Sequence, residues 1–173
     1  MDIIVDPNTT LAKAILKHNK NYKSGTVDDV KNNDVFIQTQ GTLRGTPTRL
    51  INKNFTEIVD QADQIQHIAQ RMIVIGSVSA DFPSWPGMNK PGMNNERFTY
   101  NTAKQALKNW VHGWNQSIFV KHKGVTGMKI QILSPAVFKS KIGDDTGLII
   151  EEVVKNINYL IDNPHVTEIS LRQ

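Results

Sequence analysis

The chain has 173 residues, a length that suits one domain with a core of its own. Hydrophobic residues at 39% and charged residues at 21% exclude a disordered chain, a collagen or a long coiled coil. With no cysteine, a disulfide scaffold, a thiolate-bound metal and a cysteine nucleophile are excluded as well. The net charge of +4, from 20 basic and 16 acidic residues, is mild. The lysines at Lys13, Lys17, Lys20 and Lys23 and at Lys121 and Lys123 have no nucleic-acid motif beside them and read as solvated faces. Residues 1–7 lack the basic start and apolar stretch of a signal peptide, and no run approaches the ~18 apolar residues of a membrane span. The expectation is a cytoplasmic protein, with the Asn-x-Ser/Thr triplets at Asn8, Asn54 and Asn115 accidental.

Ile3-Ile4-Val5 before Asp6-Pro7 predicts a short buried strand. The run from Asn8 to Thr10 caps a helix carrying Leu11, Ala14 and Ile15. Residues 19–33 are polar, with room for a short helix near Thr26–Lys31. Residues 34–37 predict a second strand, followed by a turn at 38–41. Pro47 opens a long helix, residues 47–68, whose apolar stripe runs through Leu50, Phe55, Ile58, Ala62 and Ile65. Met72 to Ile75 is an uninterrupted apolar run, which suits a parallel strand covered on both faces.

Residues 81–96 form a Pro/Gly/Asn-rich loop that contains Pro-Gly-Met-Asn twice, at 86–89 and 91–94. Helical spacing returns from Phe98 to Phe119, a strand follows at Met128 to Leu133, then a helix at Leu148 to Ile161 and a closing strand at Val166 to Leu171. Alternation of strand and helix predicts an α/β fold: a doubly wound, mostly parallel, Rossmann-like sheet of about five strands, shortened in its N-terminal half. Residues 1–173 are read as a single domain. Ligands of such sheets bind beyond the carboxyl ends of the strands.

Four residues carry candidate chemistry, Ser77 directly after the third strand. Tyr100 and Lys104 are four apart and share one helical face. An ammonium beside a phenol favours phenolate, so such a tyrosine can exchange a proton with a carbonyl or alcohol oxygen that the serine holds. Asn54, polar on an amphipathic helix, can anchor a proton-relaying water. Taken singly, each has a bland reading: an exposed helical face, a strand-end cap, a helix-surface residue. His18, His67, His112, His122 and His165 have no ligand spacing, so no metal site is expected.

From Asp34 to Leu171 the chain resembles the short-chain dehydrogenase/reductase family. Residues 34–41 (Asp-Val-Phe-Ile-Gln-Thr-Gln-Gly) are similar to its Asp-x-x-x-Asn-Asn-Ala-Gly turn, with only Asp34 and Gly41 kept. Residues 51–56 resemble the segment bearing the catalytic Asn, which falls on Asn54. Residues 71–80 resemble the strand that ends in the catalytic Ser, at Ser77, with Ser79 a weaker candidate. Residues 100–107 resemble the Tyr-x-x-x-Lys helix closely, and residues 128–135 the next strand with its Pro-Gly, Ala136 replacing Gly.

The resemblance implies an oxidoreductase that transfers a hydride between NAD or NADP and a small carbonyl/alcohol substrate. Tyr100 is then the general acid/base, with Lys104, Ser77 and Asn54 completing the catalytic set. Cofactor contacts fall on Thr9, Thr10, Gln40, Gly41, Lys104, Pro135 and Ala136, and a substrate-covering loop on Trp85, Met88 and Met93. It also implies a homo-oligomer through the helices at 47–68 and 97–119, where Trp110 and Trp114 are either interface anchors or intrachain core. The departures fall on cofactor binding. No Gly occurs before Gly25, Asp6 adds negative charge near the phosphates, and the usual two strands and helix before Asp34 do not fit. A rival expectation is a non-catalytic binding or structural protein on the same fold. The Asn-, Lys- and Gln-rich surface suits a small-genome source such as a phage.

Overall fold

The computed structural model describes residues 1–81, 95–122, 127–136 and 149–171. The strands are β1 (Ile3–Val5), β2 (Lys23–Ser24), β3 (Val35–Gln38), β4 (Arg71–Ile75), β5 (Lys129–Pro135) and β6 (Glu168–Leu171). The helices are α1 (Thr10–His18), α2 (Pro47–Ile51), α3 (Glu57–Ile65), α4 (Asn95–His122) and α5 (Ile150–Asp162). The sheet has the order β2-β1-β3-β4-β5-β6, and every pairing is parallel. The Rossmann-like α/β expectation therefore holds, with six strands rather than about five.

The additional strand is β2, whose two residues are both exposed. Backbone pairing makes it, with a Lys23–Asp2 ion pair beside it: Ile4 and Val5 lie beside Lys23 and Ser24, and Gly25 N–H donates to Val5 O at 3.0 Å. It has no apolar pattern to read. The polar segment after it closes in a 3-10 turn, Val27–Asp29, in place of a helix.

Strand alternation sends two sets of side chains to two layers. Val5, Val35, Ile37, Ile73, Ile75 and Leu133 pack against Leu11 and Ile15 of α1 and against Val153, Ile157 and Leu160 of α5. Ile4, Phe36, Met72, Val74, Ile130 and Ile132 pack on the other face against Ile58, Ala62 and Ile65 of α3 and Leu107 and Val111 of α4. With both faces covered, the strands read as continuous apolar runs.

Local chemistry sets the helix starts. Thr9 caps α1 by accepting from Ala12 N–H at 3.0 Å, and Thr46 caps α2 just before Pro47. The expected single helix over 47–68 is interrupted by a π turn, Asn52–Thr56. Asp34, kept from the family turn, stands before β3 at the sheet's opposite end. Its carboxylate accepts from Asp2 N–H at 2.7 Å and Lys31 N–H at 2.9 Å, a structural tie.

Trp110 and Trp114 take the intrachain alternative. Their ring centroids are 5.4 Å apart, both pack against the α4-side core, and Trp114 Nε1–H donates to Met128 O at 2.8 Å. Among the described residues no helix is long and apolar enough to cross a membrane, and no group of His, Asp and Glu could hold a metal.

Candidate active site

The carboxyl ends of β3 and β4 and the outer layer of α2 to α4 bring together Ser77, Tyr100, Lys104, Asn54 and Gly41. Ser77 follows β4 directly after Gly76. Tyr100 and Lys104 lie one turn apart on α4, and the Lys104 Nζ sits 5.9 Å from the centroid of the Tyr100 ring. Ser77 and Tyr100 are hydrogen-bonded through their side chains.

Lys104 is 2% exposed and donates to the carbonyl of Ile75 at 2.7 Å. Burial pulls its pKa down to about 7, so near neutrality the amine is about half unprotonated. The phenol of Tyr100 is pushed above its ordinary value by burial, and the Ser77 hydrogen bond pulls it the other way. The expected lowering of Tyr100 by the lysine is thus not what this packing gives. Burial outweighs the Ser77 hydrogen bond at the phenol, and the lysine's own charge is suppressed by burial.

Asn54 is fully buried, and its side chain is committed to the protein. Its Nδ2 donates to Thr42 O at 2.8 Å and Leu50 O at 2.9 Å, while Oδ1 accepts from Thr42 N–H at 3.3 Å. The Asn54 side chain is therefore a clamp on the loop after β3. Gly41 lies in this loop. A Cβ there would stand 3.0 Å from Asn54 Oδ1 and 3.6 Å from Lys104 Nζ, so the absence of a side chain keeps backbone open beside the lysine.

The turn after β1 departs from a glycine-rich loop. Asn8 takes a positive φ of 80°, the conformation that glycine favours and asparagine tolerates. The Thr9 hydroxyl is already used twice, as the cap of α1 and in a 2.8 Å hydrogen bond with Thr39 Oγ1. Thr39 in turn donates to Asp6 O at 3.0 Å, tying the two turns together. Thr10 begins α1, with its backbone among the free N–H groups of a helix start. Asp6 itself is 2% exposed, with Gln40 and Gln61 hydrogen-bonded to its carboxyl.

Pro135 ends β5, and Ala136 N–H donates to Leu171 O at 2.8 Å. Trp85, Met88 and Met93 lie outside the described residues, as does the Ser79 side chain. The sequence reading did not single out Thr39, Thr42 or Gly76. A Cβ on Gly76 would meet Ser134 Oγ at 2.5 Å, a close approach that required the sheet register to be known.

No sequence-family model matches the chain, and no curated protein matches it. Solved structures do. A short-chain dehydrogenase/reductase from Vibrio parahaemolyticus superposes with a TM-score of 0.65 at 14% identity, covering 100% of both chains. A short-chain dehydrogenase from Burkholderia cenocepacia, in complex with NADP, gives 0.67 at 9% identity, over 99% of this chain and 88% of that one. A 3-alpha-hydroxysteroid dehydrogenase from a Pseudomonas species, complexed with NADH, gives 0.65 at 12% identity, over 98% and 95%. The chain has the fold of the short-chain dehydrogenases/reductases.

Proposed function

We propose that the protein is an oxidoreductase of the short-chain dehydrogenase/reductase kind, acting on a carbonyl/alcohol pair with NAD or NADP. The observation that carries this reading is the convergence of Ser77, Tyr100 and Lys104 at the carboxyl edge of β4, with the hydrogen bond between Ser77 and Tyr100 already formed. A nicotinamide cofactor would supply the hydride. The residues suit its nicotinamide–ribose half: Lys104 gives one of its three N–H donors to Ile75 O, and Gly41 leaves room beside it. Pro135 and Ala136 border the same edge, and Thr10 with the start of α1 would face the phosphates.

In this reading Tyr100 gives or takes the proton at the substrate oxygen. Its raised pKa favours the protonated form, the one that donates during carbonyl reduction. Ser77 holds the same oxygen by hydrogen bonding. Lys104 replenishes the proton from a position where burial has already weakened its hold on it. Asn54 is a positioning residue that fixes the loop carrying Gly41. Replacing Tyr100 by Phe is expected to abolish turnover of a screened alcohol or ketone while circular dichroism and melting stay near those of the parent. Unchanged turnover would overturn the assignment.

The β1–α1 turn favours a second reading, a non-catalytic binding protein on this fold, because the Thr9 hydroxyl is committed and a carboxyl stands at the end of β1. That reading predicts no response to nicotinamide nucleotides. Oligomerisation belongs to the proposal too. Ile51 at 42% and Phe98 at 61% exposure lie on the helices expected to pair. Sedimentation would read a dimer or larger species.

A further inference from the structure

The loop between β3 and α2 leaves the candidate site at Gly41, where a Cβ would stand 3.6 Å from Lys104 Nζ. Asn54 holds the next residue, donating to Thr42 O at 2.8 Å and accepting from Thr42 N–H at 3.3 Å. The Thr42 hydroxyl then closes a tight turn. It donates to Arg44 O at 2.9 Å and accepts from Arg44 N–H at 3.3 Å. The chain from Gly41 to Arg44 is so short that their Cα atoms lie within about 11 Å of each other.

Arg49 of α2 is drawn back over the same loop. Gly45 has a φ of 137°, a conformation that glycine adopts without strain. A Cβ there would stand 2.8 Å from Arg49 Cδ and 3.3 Å from Arg49 Cγ, so the Arg49 stem fills the space a side chain at 45 would need. Helix α2 itself packs against α4, which carries Tyr100 and Lys104. Both arginines are exposed, and neither guanidinium has an ion-pair or hydrogen-bond partner among the described residues. Residues 35–56 include no acidic residue, and Lys53, the remaining cation of that stretch, is paired with Glu57 at 2.7 Å. Unpaired guanidiniums on one short loop repel each other and attract an anion.

We propose that the carbonyl substrate carries a carboxylate, bound by Arg44 and Arg49 while its carbonyl lies at Ser77 and Tyr100. This rests on the oxidoreductase reading above and adds a substrate class to the same site. The planar guanidinium fork matches a carboxylate with two parallel hydrogen bonds, which a neutral ester cannot reproduce. A group remote from the reacting atoms is bound alike in ground and transition states, so it lowers KM more than it raises kcat. An oxo acid is expected to have a KM about ten-fold below that of its methyl ester, whose carbonyl is the same and whose charge is gone. Exposed charges are screened, so the preference should shrink as salt is raised.

The test compares levulinate and a longer oxo acid with their methyl esters, using the full chain and the nicotinamide nucleotides. Arg44→Gln with Arg49→Gln should lose the preference for the acids, keep turnover of the esters and melt near the parent, since both side chains are exposed. Lysine at both positions should restore part of the preference. Equal kcat/KM for acid and ester in the parent, or a preference that survives in the double glutamine variant, would overturn the proposal and leave the oxidoreductase reading standing. A readout without turnover is titration of the arginine Nε–H NMR signals with the same two acids. Shifts confined to Arg44 and Arg49, with no turnover of any compound, would keep the carboxylate site and reject the oxidoreductase. Absence of both the shifts and the acid preference would reject the carboxylate site.

Discussion

Lys104 shows how burial turns a surface residue type into a chemical one. Its side chain is buried and its amine donates to a neutral carbonyl, Ile75 O, so the charged form is penalised. The folded value of about 7 lies below the ordinary 10.5. Between these values the unfolded chain binds more protons, so stability rises with pH there. Below about 7 the lysine is charged in both states and the penalty is present in full. Lys104→Met is therefore expected to exceed the parent in stability most at acidic pH, the gain shrinking toward pH ~10 as the parent's lysine unfolds neutral. Urea unfolding of both proteins at several pH values checks this; a constant difference would refute it. Sequence reading placed Lys104 correctly on one face with Tyr100. It misjudged the electrostatics, because i,i+4 spacing gives proximity and says nothing of how dry the site is.

At the scale of elements, two buried polar residues decide geometry that periodicity left open. Asn54 bonds Leu50 O, the carbonyl four residues earlier that its own backbone N–H would use in a regular helix. That competition accounts for the widened π turn Asn52–Thr56 inside what reads as a continuous apolar stripe. Arg71 opens β4 but belongs energetically to α5. Its guanidinium donates to Leu160 O at 3.1 Å, Ile161 O at 2.9 Å and Gln131 Oε1 at 3.2 Å. Gln131 adds bonds to Leu160 O at 3.1 Å, Asn163 O at 3.2 Å and Val166 O at 2.6 Å. The end of α5 is thus satisfied from two sides: Asn163 caps Tyr159 O locally, and the sheet supplies the donors to Leu160 O and Ile161 O. Arg71→Met, which keeps the stem and removes the donors, should cost about 2–4 kcal/mol by leaving buried carbonyls unpaired. Thermal unfolding reads this, and a change below about 0.5 kcal/mol would show that the network contributes little.

For the whole molecule, the decisive question is whether a shortened N-terminal half still closes a dinucleotide site. Ligand that binds only the folded state raises the melting temperature by mass action, by about 2.7 kcal/mol of stability at a hundred times Kd. Titration with NAD⁺, NADH, NADP⁺ and NADPH is expected to raise melting for one pair of nucleotides. No shift with any at millimolar concentration would favour the non-catalytic reading. The sequence by itself determined the alternation of elements, the two-sided core and the order Asn54, Ser77, Tyr100, Lys104. Apolar run length, capping residues and helical spacing are local properties, and local properties are written in adjacent residues. It left β2 unread, because a two-residue edge strand is made by backbone pairing to β1 and carries no apolar signature. It also missed the commitment of Asn54 and Thr9 to structural bonds and the burial of Asp6. Those facts follow from which segments the sheet order sets side by side. Only the tertiary structure decided them, since desolvation and hydrogen-bond partners come from residues distant in sequence.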